Sequence, residues 1–306
     1  MSNVIELSNT TLAALTGFRR GQAGIKACHE RAKARLQQVA PRIKATYGVS
    51  EEYDIKEIDK AECELALCRH CNGECVKQEN RYQIPAINVD DVWGLSISRG
   101  ACKFGRMRQM FSKCRNAQIP LKYAGKSFDD YQVTDDNRRA VTIAKAFCSK
   151  KPSQGIYFFG KCGTGKTFLA AIIAQEFLSD FQTVIFGDVP TLLDEIKRTF
   201  GGGNTSDLFD RYCDCDLLVL DDIGTGKVTD WSVGQIYQLL NRRYNSEKPT
   251  IITSNHDLKD LQQKLIVRDS YGNIIDDYTC ERIASRLSEM CVQAFLGTTD
   301  RRRQKK

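Results

Sequence analysis

Residues 155–167 read Gly-Ile-Tyr-Phe-Phe-Gly-Lys-Cys-Gly-Thr-Gly-Lys-Thr, and this stretch decides the fold. Its second part, residues 160–167, fits the pattern G-x-x-x-x-G-K-[S/T] at every fixed position. It follows a strand-like apolar run and opens a helix-like run, which is the context that a phosphate-binding loop requires. The glycines let backbone N–H groups point at phosphate oxygens, and the helix N-terminus adds partial positive charge. The sequence therefore predicts a nucleotide phosphate site at this loop.

The loop supplies both a cation and a metal ligand. Lys166 is the predicted charge for the β- and γ-phosphates, and the Thr167 hydroxyl is a predicted ligand of Mg²⁺. The residues predicted to contact the nucleotide are Gly160, Lys161, Cys162, Gly163, Thr164, Gly165, Lys166 and Thr167.

Two further strand-like runs end in polar residues. The run 217–220 is followed by Asp221 and Asp222, and the run 250–253 is followed two residues later by Asn255. Parallel strands place such residues at one edge of the sheet. We expect Asp221 to hold Mg²⁺, Asp222 to orient or activate the attacking water, and Asn255 to bind the γ-phosphate or that water.

From residue 127 onward, short apolar runs alternate with helix-like runs, which is typical of a parallel sheet covered by helices. The sequence therefore predicts an α/β fold with a five-stranded parallel sheet. The predicted strands are 155–159, 183–187, 217–220, 250–253 and 291–296, and the predicted helices between them are 167–179, 189–199 and 231–245.

Composition excludes several protein classes. The chain has 306 residues, of which 42% are hydrophobic and 27% charged, so it is neither collagen-like, wholly disordered nor a small disulfide scaffold. It lacks an apolar run of the roughly 20 residues that a spanning helix needs. The start also lacks the pattern of a secretory signal, so we expect a cytoplasmic protein without a membrane partner.

The chain is predicted to have four parts. Residues 1–66 read as a helical region with a break near Pro41, and residues 67–118 as a zinc-binding region. Residues 119–126 form a predicted linker, and residues 127–306 the nucleotide-binding domain.

The cysteines suggest a metal site. In a cytosolic chain, 13 cysteines indicate thiols or metal ligands rather than disulfides. The predicted Zn²⁺ ligands are Cys68, Cys71, Cys75 and Cys102, because zinc binds four soft ligands in a tetrahedron. Cys114 and His70 are alternative ligands, and buried thiols or a redox pair are alternatives to the metal.

Positive charge is concentrated in segments. Residues 19–44 carry eight basic side chains and one acid, and residues 99–126 carry eight and no acid. The second segment also contains Phe104, Phe111 and Tyr123, and charge interleaved with aromatic rings suits single-stranded nucleic acid. A solvated helical face or a docking surface for an acidic protein are the alternatives.

The phosphate loop, the Asp-Asp strand and the Thr-Ser-Asn strand, in that order, resemble those of the AAA+ ATPases. Three sequence motifs resemble those of the DnaC/DnaI/IstB group in more detail. They are Leu-Leu-Val-Leu-Asp-Asp-Ile-Gly at 217–224, Thr-Ser-Asn at 253–255, and Glu-Arg-Ile-Ala-Ser-Arg-Leu at 281–287. The closing Asp-Arg-Arg-Arg at 300–303 is similar to the Asp-x-x-Arg of that group. The resemblance spans about residues 127–303.

The resemblance implies an AAA+ ATPase domain that binds ATP and Mg²⁺ and self-associates. Arg286 would be an arginine finger that reaches a neighbour's γ-phosphate, and Arg303 would be the sensor, with Arg301 and Arg302 as alternatives for that role. Alternatively, Arg286 and Arg282, which lie at i and i+4, could simply pair with glutamates such as Glu289 on the same helix.

The function that the resemblance implies is ATP-dependent loading of the replicative DNA helicase, a hexamer, onto single-stranded DNA at the initiation of DNA replication. The DnaI-type loaders carry a zinc-binding N-terminal domain, which implies that the N-terminal part of this chain recruits the helicase. Hydrolysis by an isolated monomer would be weak. The alternatives are an IstB-like transposition helper ATPase and a non-catalytic nucleotide-binding interaction module.

Overall fold

The computed structural model describes residues 22–69, 71–72, 74–77, 79–90, 94–150, 152–180, 182–199 and 205–301. The chain divides into two compact units, residues 1–109 and residues 110–306. Among the residues described, every helix is too short or too polar to cross a bilayer.

Among the residues described, the first unit contains two complete helices and two antiparallel strands. Its elements are α1 (Gln22–Tyr47), α2 (Glu52–Arg69), and the antiparallel strands β1 (Gln83–Asp90) and β2 (Gly94–Ala101). Its core is formed by the buried side chains Ile43, Val49, Ile55 and Ile58.

The expected helix break at Pro41 is wrong, because α1 continues through this residue. A proline inside a helix costs about 3 kcal/mol. Two residues further along, Ile43 is fully buried in the core of the unit. The burial of this side chain favours continuation of the helix and opposes the cost of the proline.

Helix α3 (Lys103–Asn116) contains the point of division between the units. The second unit then holds seven helices and seven strands among its described residues. These are α4 (Arg138–Lys150), β3 (Gly155–Phe159), α5 (Lys166–Ser179), β4 (Val184–Asp188), α6 (Val189–Thr199), α7 (Thr205–Asp214), β5 (Leu217–Ile223), α8 (Asp230–Asn245), β6 (Thr250–Ser254), α9 (Leu258–Leu265), β7 (Val267–Arg268), β8 (Ile274–Asp276), α10 (Tyr278–Met290) and β9 (Cys291–Phe295).

The predicted five-stranded parallel sheet is confirmed, and its strand order is β4-β5-β6-β3-β9. Helices cover both faces, so the central strands are apolar throughout. In β5, for example, Leu217 and Val219 pack into one core, whereas Leu218 and Leu220 pack into the other. This burial on both faces explains why these strands are continuous apolar runs rather than alternating patterns.

The sequence analysis did not identify the hairpin of β7 and β8, whose strands are only two and three residues long. It placed Ala117 and Ile119 before or at the start of a linker. In the structure both side chains are buried in the core of the second unit, and the carbonyl of Ala117 accepts a hydrogen bond from the Phe186 amide at 2.8 Å. The predicted domain boundaries stay predictions.

A buried cation holds one end of the sheet. Arg243 on α8 is fully buried, and its Nη1 donates to the carbonyl oxygens of Tyr212, Cys213 and Cys215 at 2.9–3.0 Å. Its Nη2 donates to Pro249 O at 2.7 Å. The side chain therefore satisfies carbonyl groups at the end of α7 and at the start of β6.

We expect Arg243→Ala to destabilise the second unit by about 3 kcal/mol or more, because each buried carbonyl left without a donor is costly. Arg242→Ala is the matched control, since Arg242 forms exposed ion pairs with Asp210 and Asp214, and such pairs contribute about 1 kcal/mol or less. Chemical denaturation of both variants checks the difference. Equal losses would contradict it.

Candidate nucleotide-binding site

The site lies in the second unit, where three neighbouring strands end together. Phe159 of β3 is in register with Ser254 of β6, and Ser254 is in register with Ile223 of β5. From Leu220 to Ile223, β5 advances three residues while β6 advances two, which is a β-bulge. Asp221 and Asp222 lie on this bulge, beside the loop that follows β3.

The Lys166 side chain lies inside the phosphate-binding loop. Its Nζ donates to the carbonyl oxygens of Gly160 and Lys161 at 2.8 and 3.0 Å and to Asn255 Oδ1 at 2.8 Å. The side chain is almost fully buried. The fold therefore brings the loop lysine and the Asn255 amide together.

Asp221 accepts hydrogen bonds from two threonine hydroxyls. Thr167 Oγ1 lies 3.0 and 3.1 Å from the two carboxylate oxygens, and Thr253 Oγ1 lies 2.6 Å from Oδ1. Burial raises the pKa of Asp221, the two hydroxyls oppose that rise, and the charges of Asp222 and Asp188 add to it. The carboxylate and hydroxyl oxygens are hard ligands that fit Mg²⁺.

Asp222 is held in an unusual conformation. Its φ of 60° lies in the left-handed region, and its amide donates to Thr253 Oγ1 at 2.9 Å. Asn255 Nδ2 donates to Asp222 Oδ1 at 3.0 Å. Burial raises the pKa of Asp222, and the charge of Lys166 opposes the rise. Hydrogen bonds therefore connect the lysine, the amide and this carboxylate in one chain.

A segment that follows β9 packs against the phosphate-binding loop. The Lys161 amide donates to Gly297 O at 3.2 Å, and the Arg301 amide donates to Gly163 O at 3.1 Å. Gly163 has a φ of 80°, and a Cβ at this position would lie 1.8 Å from Asp300 Oδ1. Gly163 is therefore required for this contact as well as for the curvature of the loop.

Beside the loop lies a cavity of about 290 Å³. The Arg301 guanidinium lies over the Tyr131 ring and donates to Gln132 O at 2.9 Å. Tyr131 Oη in turn donates to Thr164 O in the loop at 3.4 Å. The cavity is lined by Gln132, Thr134, Asp135, Asp136, Leu296, Thr299 and Arg301.

Arg286, the predicted arginine finger, does not join this cluster. Arg286 Nε donates to Asn241 Oδ1 at 3.2 Å, its guanidinium lies over the Tyr244 ring, and its Nη1 lies 3.6 Å from Glu289. The pairing with a glutamate of the same helix, which we held as the alternative, is therefore present. Arg303 lies outside the described residues.

The predicted zinc site is not confirmed. Among the residues that the structure describes, no group of three or more His, Cys, Asp and Glu side chains is placed to hold a metal ion. Cys68, Cys71, Cys75 and Cys102 are not joined by disulfides. The Cys71 Sγ donates to Glu74 O at 3.7 Å, and the thiols of Cys75 and Cys102 each accept a hydrogen bond from a backbone amide at 3.3 Å.

Cys114, one of the two alternative ligands, is not placed to bind zinc. Cys114 is fully buried in the core of the second unit, where burial raises the pKa of its thiol and disfavours the thiolate that a metal needs. His70 lies outside the described residues.

Comparisons with known proteins agree with the geometry of the phosphate site. Residues 100–277 match the family described as IstB-like ATP binding protein, and this match covers more than half of the chain. The chain belongs to this family. The resemblance to the DnaC/DnaI/IstB group is thereby confirmed.

Relatives of this IstB-like chain include two curated proteins. The chain is 30% identical over 161 residues to "Replicative helicase loader DnaC" of Buchnera aphidicola, covering 49% of this chain and 65% of that protein. It is 25% identical over 159 residues to "Replicative helicase loader DnaI" of Bacillus subtilis, covering 50% and 51%. The matched region thus spans between half and two thirds of these relatives.

A solved structure of DnaI is also similar. It shares 26% sequence identity with this chain at a TM-score of 0.51, and the match covers 58% of this chain and 94% of that one. The five-stranded parallel α/β fold is therefore that of the AAA+ phosphate-loop ATPases.

Sequence reasoning missed several residues of the site. Thr253 was quoted as part of a motif, but its contacts with the carboxylates were not predicted. Asp188 ends β4 in register with Asp221, and an acid at a strand end was the available signal. Tyr131 and Gly297 carry no recognisable motif and reach the loop only through the fold.

We expect Asp221→Asn to raise the unfolding temperature at near-neutral pH while it abolishes Mg²⁺-dependent ATP binding. Burial raises the pKa of Asp221, so the ionised carboxylate costs stability, and this cost grows as pH rises through the range in which the carboxyl ionises. Thermal unfolding without nucleotide, at neutral and mildly acidic pH, checks the sign. The advantage of the variant should shrink at acidic pH, and a variant less stable than the wild type at neutral pH would contradict the expectation.

We expect Asp188→Asn to move the acid limb of Mg–ATP binding to lower pH. The charge of Asp188 raises the pKa of Asp221 and of Asp222, so its removal lets both ionise more readily. An asparagine keeps an oxygen for the Thr191 amide, which now donates to Asp188 Oδ2 at 3.2 Å. Binding of a fluorescent ATP analogue across pH checks the shift. Asp230→Asn, an exposed aspartate that begins α8, is the control, and an unmoved profile for Asp188→Asn would disprove the coupling.

Proposed function

We propose that this chain is an ATP-dependent loader of the replicative DNA helicase onto single-stranded DNA in the initiation of DNA replication. The observation that carries the proposal is the hydrogen-bonded chain from Lys166 through Asn255 to Asp222, beside the pair of Thr167 and Asp221. The names of the curated relatives supply the partner, a replicative helicase.

Nucleotide entry exchanges the partners of Lys166. In the structure its Nζ donates to two loop carbonyls and to Asn255 Oδ1. The β- and γ-phosphate oxygens of ATP are stronger acceptors because they are charged, and they take over these hydrogen bonds. Asn255 then loses its hydrogen bond with the lysine and keeps the one with Asp222. It thereby couples binding of the γ-phosphate to the Asp222 carboxylate.

Hydrolysis uses the Asp222 carboxylate, which lies at the end of this series of hydrogen bonds. Asp222 accepts the proton of a water whose oxygen attacks the γ-phosphorus, and the bond from this phosphorus to the oxygen of the β-phosphate breaks. The products are ADP and inorganic phosphate. A bound Mg²⁺, held by Thr167 and Asp221, would neutralise the charge that develops on the phosphates.

The adenosine part of the nucleotide would occupy the cavity beside the loop. A volume of about 290 Å³ is close to the lower end of the range of ligand pockets, roughly 300 Å³. The backbone of Gln132 and the Arg301 side chain are fixed to the loop region by the contacts of Tyr131. We therefore propose Arg301 as a tail arginine that accompanies the nucleotide.

Self-association belongs to the same proposal. Arg286 lies against Asn241, Tyr244 and Glu289, and none of these belongs to the phosphate site of its own chain. A role for Arg286 in catalysis therefore requires a neighbouring copy, and weak hydrolysis by a monomer follows. The cytoplasmic location also stays a prediction. Zinc is no part of the proposal, because the described cysteines do not form a metal site.

We expect Lys166→Ala to lower ATP hydrolysis by about a hundredfold or more, because it removes a preorganised donor to the transferring phosphoryl group. Lys161→Ala is the matched control. The contacts of Lys161 are made by its main chain: its amide donates a hydrogen bond to Gly297 O, and its carbonyl oxygen accepts one from Lys166 Nζ. Its side chain is exposed. Steady-state phosphate release checks both variants. Equal phosphate release by Lys166→Ala and the wild type would contradict the role of Lys166 in hydrolysis, whereas a wild type that binds ATP without releasing phosphate would favour the non-catalytic module.

The partner is tested by capture of the purified replicative helicase with the intact chain, in the presence and absence of ATP and Mg²⁺. The proposal predicts that the helicase is retained by the wild type and that ATP changes the amount retained. Loss of that ATP response in Lys166→Ala would connect the site to the partner. Failure of the wild type to retain the helicase under every condition would disprove the loader function.

A transposition helper is the second candidate, because the matched family is described as IstB-like. The discriminating measurement is the stimulation of ATP hydrolysis by DNA. A loader is expected to respond to single-stranded DNA, whereas a transposition helper is expected to prefer double-stranded DNA. Capture of a transposase instead of the helicase would select this second candidate.

A further inference from the structure

A small hairpin in the second unit has one strand that is exposed on both faces. Strands β7 and β8 pair in antiparallel fashion, and Asp269 orders the turn by accepting hydrogen bonds from the amides of Tyr271 and Asn273 at 2.9 and 2.8 Å. Ile274 and Ile275 are adjacent in β8, so their side chains point to opposite faces, yet they are 51% and 61% exposed. Val267 of β7 is buried in the core, so β7 anchors the hairpin and β8 is its exposed strand.

The exposed side chains of this hairpin are apolar and large. Besides the two isoleucines, Tyr271 is 90% exposed and Tyr278, at the start of α10, is 67% exposed. Single apolar residues on a surface need no explanation, but four large exposed ones within residues 271–278 mark an interaction site. An isolated two-stranded hairpin is also marginally stable by itself, so a partner that packs on it would stabilise it.

The charge around this group is negative. Residues 267–282 contain the four acids Asp269, Asp276, Asp277 and Glu281 and the two basic residues Arg268 and Arg282. The amide of Thr279 donates to Asp276, which lowers the pKa of Asp276, and hydrogen bonds from Asn273 do the same for Asp269, so both stay ionised. This charge opposes nucleic acid as the partner and favours a protein surface that is apolar and basic.

A surface of that kind occurs in the same unit of the chain. Residues 110–126 contain no acidic residue. They expose Phe111 and Leu121, which are 39% and 45% accessible, together with the basic side chains of Arg115 and Lys122. Phe111 and Arg115 are four residues apart on α3, so they share one face of the helix.

We infer that the hairpin 267–278 of one copy docks on the 110–126 surface of a second copy of this chain. The match is twofold, since each surface has large exposed apolar side chains and the flanking charges are opposite. Because the two surfaces are different, the contact is heterologous, and repetition of it adds copies in a row or a ring.

The position of the hairpin in the chain supports a second copy as its occupant. It leads directly into α10, the helix that carries Arg286. Tyr278 begins α10, and the Arg282 guanidinium lies 5.7 Å from its ring and 4.1 Å from the ring of Tyr237. The inference rests on that part of the proposed function in which Arg286 acts on a neighbouring copy, and it names the surface that would hold the neighbour.

The test is a charge exchange between copies of the full-length chain. One variant carries Asp277→Lys and Glu281→Lys, which leave the turn and its hydrogen bonds unchanged. The other carries Arg115→Glu and Lys122→Glu. Sedimentation velocity with Mg²⁺ and a non-hydrolysable ATP analogue is expected to show self-association weakened at least tenfold in each variant alone, whereas an equal mixture of the two recovers association.

The apolar contribution is tested separately with Ile275→Asp, and Tyr53→Asp is its control because Tyr53 is 71% exposed in the first unit. Ile275→Asp should weaken association and Tyr53→Asp should not. A photo-crosslinking residue at position 275 should label residues 110–126 of a second copy. Labelling elsewhere, no recovery in the mixture, or a wild type that stays monomeric would each overturn the inference.

ATP affinity is measured for every variant in the same experiments. Variants that bind ATP normally and lose association support the docking surface. Wild-type protein that associates through this surface without binding ATP would disprove the proposed function and leave the docking surface in place. Normal ATP binding with unchanged association in the hairpin variants would disprove the docking surface and leave the proposed function in place.

Discussion

Parallel pairing of β3 with β6, and of β6 with β5, is the constraint on which the site depends. It aligns the ends of three strands that are far apart in the sequence, so the phosphate-binding loop, the two aspartates and Asn255 meet at one edge. The bulge in β5 then adds one residue at the point where the carboxylates must turn toward the loop. Without this alignment the polar residues at the three strand ends would lie apart and could not form one binding site.

The site is organised before any nucleotide arrives. Lys166, Asn255, Asp222, Asp221 and Thr167 already have hydrogen-bond partners within the site. A charged lysine buried without partners would be costly, so the loop carbonyls and the amide hold it until phosphate replaces them. The cost of ordering these side chains is thereby met in folding, and binding has mainly to exchange acceptors.

Sequence reasoning succeeded where local pattern and chemistry agree. The five strands of the parallel sheet could be predicted because their burial on both faces makes them short apolar runs, and the phosphate loop because its glycines and lysine have fixed spacing. The contacts of Tyr131, Gly297 and Asp300 with the loop could not, because they depend on distant segments that only the fold brings together.

Two other differences also have physical causes. The proline in α1 is a poor residue for a helix interior, yet α1 continues through it to a residue that is anchored in the core. The spacing of the cysteines resembles that of a metal site, but among the residues that the structure describes no group of three or more ligating side chains is placed to hold a metal ion.

Strand order also limits when this molecule can first bind its ligand during synthesis. β3 lies between β6 and β9, and the residues after β9 contact Lys161 and Gly163 of the loop. While residues 291–301 are still inside the ribosomal tunnel, the phosphate-binding loop is already outside. Strand β3, which precedes this loop, then still lacks its neighbour β9. Translation must therefore proceed well beyond the motif before the newborn domain can close around a nucleotide.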